Sequence, residues 1–136
     1  MAPRRFFGTR YLTLPALALG QQKVDYFDAL IEAARQEGPL DVTLDEGSSV
    51  GEFLRYAVER RGLLTRGSNT AGIDQFEPRP GKDYFGRQVK AVFAADDGIW
   101  PIFFATVNRE NPELRTMWNA CMWAESDDGE RHKVYA

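Results

Sequence analysis

The first regular pattern along the chain is a helical one over residues 24–36. Apolar side chains recur there at three- and four-residue intervals, with polar residues between them: Val24, Phe27, Leu30, Ile31 and Ala34. Gly38 and Pro39 follow directly. Because proline cannot continue a helix and glycine accepts the left-handed cap conformation, the pattern predicts an amphipathic helix that ends before Gly38.

A second helix is predicted to begin after Ser49. Ser49 stands three residues before Glu52, so the hydroxyl and the carboxylate can each accept a hydrogen bond from the other residue's backbone amide. Gly62 suits the position after the last turn. One apolar stripe follows the cap: Val50, Phe53, Leu54, Ala57 and Val58. The stripe is expected to pack in a core, or alternatively to form a dimer face. Between the helices, residues 40–44 alternate as a short strand or an extended connector would.

After Gly62 the pattern changes to short apolar runs separated by Gly, Pro, Asn and Asp. These runs predict strands at residues 63–66, 91–94, 116–124 and 132–135. Asp97 can cap one further helix, with Pro101 in its first turn and Phe103, Phe104 and Val107 along it. The fold class predicted is α+β, with a helical N-terminal region followed by a small mixed β core that contains one aromatic-rich helix. The patterns divide the chain into three predicted segments: a poorly defined segment over 1–22, a two-helix subdomain over 23–62 and the mixed β core over 63–136.

Composition narrows the function classes. The chain has 136 residues, 43% hydrophobic and 27% charged, which is typical of one folded domain. Its 17 Lys and Arg against 20 Asp and Glu give a net charge of −3, and neither half is basic, so nucleic-acid binding is not indicated. No run approaches the roughly 20 apolar residues of a membrane span. One histidine, His132, and one cysteine, Cys121, predict no metal site, and Cys121 is interpreted as a small core residue.

The N-terminus has a weak export signal. Arg4, Arg5 and Arg10 precede a mild apolar run over 11–19, as in a twin-arginine leader. Thr13 and Pro15 interrupt the run, so we expect a cytoplasmic protein.

Two segments of the β core carry candidate chemistry. In the first, a strand ends at Arg66-Gly67-Ser68, where a sharp bend can present backbone amides beside a guanidinium, a combination suited to a phosphate or diphosphate. In the second, residues 90–105, an acidic cap leads into a helix bearing Trp100, Phe103 and Phe104, flat apolar rings on which a nicotinamide or adenine can stack. Alternatively, the aromatic stripe belongs to the core and Arg66 only pairs with an acid.

These segments in this order resemble small bacterial proteins with an ADP-ribosyltransferase-like core. The features that carry the resemblance are the basic residue before Gly67-Ser68, the Phe-Glu-Pro-Arg block at 76–79, the Val-Phe-Ala-Ala-Asp-Asp run at 92–97 and the aromatic helix after it. The resemblance covers residues 63–135. Arg66 stands where many relatives have histidine, and Phe93-Ala94-Ala95 where many transferases have Ser-Thr-Ser or a tyrosine.

The resemblance implies a protein that binds NAD and transfers its ADP-ribose or hydrolyses it. It implies cofactor contacts from Arg66, Gly67, Ser68, Trp100, Phe103 and Phe104, and a late glutamate, Glu125 or Glu130, that stabilises positive charge on the ribose. A fixed carboxylate near that carbon and a cation on the diphosphate would lower the barrier electrostatically. The alternative is a non-catalytic module on a degenerate form of the same fold, with a protein partner.

Overall fold

Three helices and six strands make up the regular structure of the computed structural model, which describes residues 2–6, 9–83, 85–108, 111–116 and 119–135. The α+β class predicted from the sequence is therefore confirmed. In chain order the elements are β1 Ala2–Phe6, β2 Thr9–Thr13, α1 Gln21–Glu37, α2 Val50–Glu59, β3 Arg79–Lys82, β4 Gln88–Ala91, α3 Trp100–Thr106, β5 Cys121–Glu125 and β6 Arg131–Tyr135.

The chain divides into two compact units. One consists of Met1–Ala18 together with Asn108–Ala136, and the other of Leu19–Val107. We call the first the sheet unit, because it contains β1, β2, β5 and β6, and the second the helical unit, because it contains α1, α2 and α3.

The core of the helical unit forms where α1 meets α2. Phe27 is fully buried, and its ring lies edge-on to Phe53 with the centroids 5.2 Å apart. Tyr56 and Ala57 of α2 and Ile31 of α1 are also buried. Apolar residues of the predicted α2 stripe therefore pack inside this unit, where burial of their surface stabilises the helix pair.

The start of α2 has the predicted reciprocal cap. Ser49 Oγ accepts a hydrogen bond from the Glu52 amide at 3.2 Å, and Glu52 Oε2 accepts one from the Ser49 amide at 3.0 Å. Lys23 of α1 donates to Glu52 Oε1 at 3.0 Å. The Lys23 hydrogen bond, with the Ser49 amide, holds the pKa of Glu52 below its ordinary value.

A polar cluster joins the other end of α2 to α1. Tyr56 donates to Asp28 Oδ1 at 2.7 Å, and Arg61 binds both oxygens of the same carboxylate while lying over the Tyr56 ring. The hydrogen bond from Arg61 lowers the pKa of Asp28. Burial, reinforced by the hydrogen bond to Asp28, raises the pKa of Tyr56.

β3 and β4 form a separate antiparallel hairpin within the helical unit. The register pairs Arg79 with Ala91 and Lys82 with Gln88. Asp83 closes the turn by accepting hydrogen bonds from the amides of Phe85 and Arg87, both at 2.9 Å. These contacts are typical of an aspartate that substitutes for backbone acceptors in a tight turn.

The sheet unit is built on four antiparallel strands in the order β1-β2-β6-β5. β6 lies between β2 and β5, pairing Tyr135 with both Leu12 and Cys121. Val134, in the middle strand, is fully buried.

The predicted strands agree only in part with this arrangement. β6 covers the strand predicted at 132–135, and β5 overlaps the end of that predicted at 116–124, of which Met117 and Trp118 lie outside the described residues. Residues 91–94 share only Ala91 with β4, and residues 63–66 contribute only an isolated bridge at Thr65. Residues 40–44 form neither a helix nor a strand. β1 and β2 occupy residues for which no structure was predicted.

Candidate functional site

A single bridge brings the two candidate segments together. Thr65 and Ala95 exchange backbone hydrogen bonds, with N···O distances of 2.9 and 2.8 Å. The Thr65 hydroxyl reinforces this link by donating to the carbonyls of Ala95 and Asp97. The segment that carries Arg66-Gly67-Ser68 thus lies beside the segment that leads into α3.

The N-cap of α3 is Ile99 and not Asp97 as the sequence predicts, yet Asp97, two residues earlier, still binds the amides at the start of the helix. Asp97 is only 4% exposed, and its carboxylate accepts hydrogen bonds from the amides of Ile99 at 2.8 Å and Trp100 at 2.6 Å. Gly98 packs against the backbone of α2, where an added Cβ would lie 2.4 Å from the Arg55 nitrogen. Side-chain capping and a close glycine contact therefore set the position of α3 against α2.

Gly67 lies directly against α3. An ideal Cβ on Gly67 would lie 1.8 Å from the carbonyl oxygen of Pro101 and 3.0 Å from the Ala105 nitrogen. Asn69 donates to the carbonyl of Val107 at 2.9 Å, and the Ser68 hydroxyl accepts from the Thr70 amide at 3.1 Å. The glycine is thus explained by close packing on a helix, and the role in holding a diphosphate stays a prediction.

Arg66 projects at the exposed end of this bridge. One guanidinium nitrogen donates to the carbonyl of Phe93 at 2.8 Å, and the guanidinium carbon lies 5.5 Å from the centre of the Phe76 ring. These partners are a carbonyl and an aromatic ring, whereas the alternative prediction is that Arg66 only pairs with an acid. Since a guanidinium carries five N–H donors and the Phe93 contact uses one, the group retains the capacity to bind an anion.

Phe104 contacts the other two aromatic residues of α3. Trp100 and Phe103 each meet Phe104 edge-on, with centroid distances of 5.2 and 5.4 Å. All three side chains are half-buried. The indole nitrogen of Trp100 is buried and has no hydrogen-bond partner among the described residues. An unpaired buried donor is costly, so this ring is a point where an added acceptor would stabilise the structure.

The two predicted acids belong to the sheet unit. Glu125 ends β5 and pairs with Arg131, and Glu130 immediately precedes β6. Both side chains are exposed. The turn between them is organised by Ser126, whose hydroxyl binds Asp128 and lies 3.2 Å from His132 Nε2. The hydrogen bond from Ser126 lowers the pKa of Asp128.

A groove on α1 was not predicted from the sequence. It has a volume of about 560 Å³ and is lined chiefly by Asp25, Asp28, Glu32, Arg35 and Arg61. Arg61 binds Asp28, and Arg35 lies 3.8 Å from Glu32, so the charges largely compensate one another. The helical spacing of the three acids was visible in the sequence, whereas the approach of Arg61 depends on the packing of α1 on α2.

Neither a metal-binding cluster nor a membrane-spanning helix is present in the described part of the chain. No three His, Cys, Asp or Glu side chains there converge in a way that could hold a metal ion. None of the helices over those residues combines the length and apolar character needed to cross a bilayer.

Comparisons of the chain with protein-family models, with curated proteins and with solved structures gave no match.

Proposed function

We propose that residues 65–104 form the NAD-binding part of an ADP-ribosyltransferase-like protein. The observation that supports this most is the Thr65–Ala95 bridge, which joins the two segments on which the resemblance rests. The proposal concerns binding within the helical unit. NAD contains the nicotinamide–ribose bond that the reaction would cleave. Its negatively charged diphosphate would be bound by a cation.

Arg66 is the residue that fits this ligand best. It is exposed, lies at the end of the bridge and is oriented by the Phe93 carbonyl and the Phe76 ring. A planar guanidinium held in one orientation can bind a phosphate through two parallel hydrogen bonds. The phenyl ring beneath it limits the number of rotamers that binding would have to freeze.

The aromatic residues of α3 fit a stacking role in part. Phe103 and Phe104 are half-buried, so each keeps some surface outside the helix-packing contacts. Trp100 has the unpaired indole nitrogen, which an acceptor on a carboxamide or a ribose would satisfy. Ser68 is half-buried, and its hydroxyl already accepts the Thr70 amide.

The alternative function is binding without turnover. Its support is that Asp97, an acid of the second segment, is buried, and its carboxylate is already occupied by hydrogen bonds from the amides of Ile99 and Trp100. Glu125 and Glu130 stay predictions for the catalytic acid.

Calorimetric titration with NAD tests the binding proposal. We expect saturable heat for the natural chain, at least ten-fold weaker binding for Arg66→Ala and partial rescue by Arg66→Lys, which keeps the charge but loses the planar fork. Arg87→Gln is the matched control, since Arg87 lies 5.1 Å from the Phe85 ring in a similar arrangement elsewhere. No heat with millimolar NAD would overturn the proposal.

Release of nicotinamide separates the two functions. Turnover that is lost in Glu125→Gln or Glu130→Gln, with NAD affinity unchanged, supports catalysis. Binding with NAD intact after prolonged incubation supports the non-catalytic alternative.

A further inference from the structure

Two cations surround one exposed tryptophan on β5 and β6. The strand register pairs Trp123 with Lys133. Arg131 Cζ and Lys133 Nζ each lie 5.3 Å from the centre of the Trp123 ring, and the Trp123 residue is 55% exposed. Paired residues share a face of an antiparallel sheet, so these three side chains lie on one face. Val134, fully buried, alternates to the opposite face.

A second aromatic residue extends this face. Tyr135 pairs with Cys121, two positions from the Trp123–Lys133 pair, which makes Trp123 and Tyr135 diagonal neighbours. Such neighbours are typically about 7–8 Å apart. Tyr135 is half-buried, whereas Trp123 stays 55% exposed even with Arg131 and Lys133 over its ring, so Trp123 is the more accessible aromatic surface of this face.

Cations and acids are separated along the β5–β6 hairpin. Its two strands carry two cations, Arg131 and Lys133, and one acid, Glu125, which pairs with Arg131 on the same face. The three acids between β5 and β6, Asp127, Asp128 and Glu130, all lie in the connecting turn. The net charge of −3, which by itself does not indicate nucleic-acid binding, averages over this separation.

We propose that the β5–β6 face of the sheet unit binds single-stranded nucleic acid, with a base stacked on Trp123 and phosphates bound by Arg131 and Lys133. Single strands are bound through aromatic rings that stack on bases together with cations that follow the backbone. An acidic peptide would satisfy the cations but would leave the flat ring without a specific partner. Duplex DNA would likewise use the cations alone, because its bases are already stacked.

This inference is independent of the NAD proposal, since it uses no residue of the helical unit. It predicts a salt-dependent site in which the aromatic ring and the cations make separable contributions. Stacking is lost with the ring, and the salt dependence falls with the cations.

Fluorescence anisotropy of a labelled 20-nucleotide oligothymidylate, with the full chain at about 50 mM salt, tests the proposal. We expect saturable binding that is about ten-fold weaker in Trp123→Ala and within about three-fold of the natural chain in Trp123→Phe. Arg131→Gln with Lys133→Gln should weaken binding and reduce the slope of log affinity against log salt by about 1.4, at about 0.7 per phosphate contact.

Matched controls come from the β3–β4 turn. Phe85 is exposed and lies under Arg87, so Phe85→Ala and Arg87→Gln remove a similar ring and charge outside the sheet unit. Both should bind as the natural chain does. Circular dichroism checks that each variant folds. The Arg131 and Lys133 substitutions decide the outcome if Trp123→Ala does not fold.

Several results would overturn the proposal. The first is equal affinity of Trp123→Ala and the natural chain. The second is a 20-base-pair duplex that binds as tightly as the single strand. Displacement of the oligonucleotide by polyglutamate or by phosphatidylserine vesicles at equal charge would assign the face to an acidic peptide or a membrane surface instead.

Discussion

Gly67 and Pro101 are in such close backbone contact that no side chain fits between them. A Cβ on Gly67 would lie 1.8 Å from the Pro101 carbonyl oxygen. This contact holds the segment after Thr65 against α3, and hence positions Arg66 beside the aromatic helix. The site proposed for NAD therefore depends on a glycine whose function is packing.

Substitution of Gly67 by alanine should destabilise the helical unit by about 1–3 kcal/mol or more, because the overlap is with helix backbone that cannot shift cheaply. Urea denaturation gives the free energy of unfolding. Gly47→Ala is the control, since an added Cβ there has nothing within 4 Å. Equal stability of the two variants would contradict the packing contact.

The cap of α2 gives a second stability prediction. Ser49→Ala removes the acceptor for the Glu52 amide and should cost about 1 kcal/mol. Ser48 is the matched control, because its hydroxyl is buried with no partner among the described residues. Ser48→Ala should therefore be neutral or stabilising in the same urea titration. A larger loss for Ser48→Ala than for Ser49→Ala would refute the cap.

The start of α3 should depend on Asp97 in a graded manner. Asp97→Ala leaves the amides of Ile99 and Trp100 without their acceptor and should destabilise the protein by about 1–2 kcal/mol. Asp97→Asn keeps an acceptor oxygen, so its effect on the thermal midpoint should be smaller. Identical midpoints for the two variants would show that Oδ1 does not act as the cap.

Asp28 should make stability depend on pH in the acid range. Its folded pKa is lowered by the Arg61 hydrogen bond, so the stabilisation is fully present above the ordinary value of 3.8 and is lost as pH falls through the folded value. In Asp28→Asn the urea midpoint should therefore fall less between pH 5 and pH 2 than in the natural chain. Parallel pH profiles would contradict the ion pair.

Tyr56 should make stability depend on pH in the alkaline range. Burial raises its folded pKa above the ordinary value of 10.0, so its contribution is present below that value and is lost as pH rises through the folded value. Phenolate absorbance should show a titration step above pH 10 that belongs to Tyr56. Tyr56→Phe should abolish this late step, and its persistence in the variant would assign it to another tyrosine.

The helices were predictable because their signals are local. Residues 24–36 fall within α1, and Ser49 and Glu52 form the cap inferred from their spacing. Asp97 binds amides at the start of α3, although the N-cap residue is Ile99. Each of these depends on side chains within one or two turns of the chain. Periodicity and capping chemistry therefore determined the helices with little tertiary information.

The strands were harder to predict because their partners are distant in sequence. β3 contains Pro80 and Gly81, which argue against a strand, yet a two-stranded hairpin has only edge strands and tolerates proline. β2 pairs with β6 through Leu12 and Tyr135, a contact with no local signal. The role of Gly67 was missed for the same reason, since the helix backbone against it is more than thirty residues away.

Nuclear magnetic resonance of the labelled chain during titration with NAD tests the central claim most directly. The account predicts saturable shifts of the backbone amides in residues 65–68 and 93–104, and their loss in Arg66→Ala but not in Arg87→Gln. A spectrum that stays unchanged over those residues at millimolar NAD would contradict it.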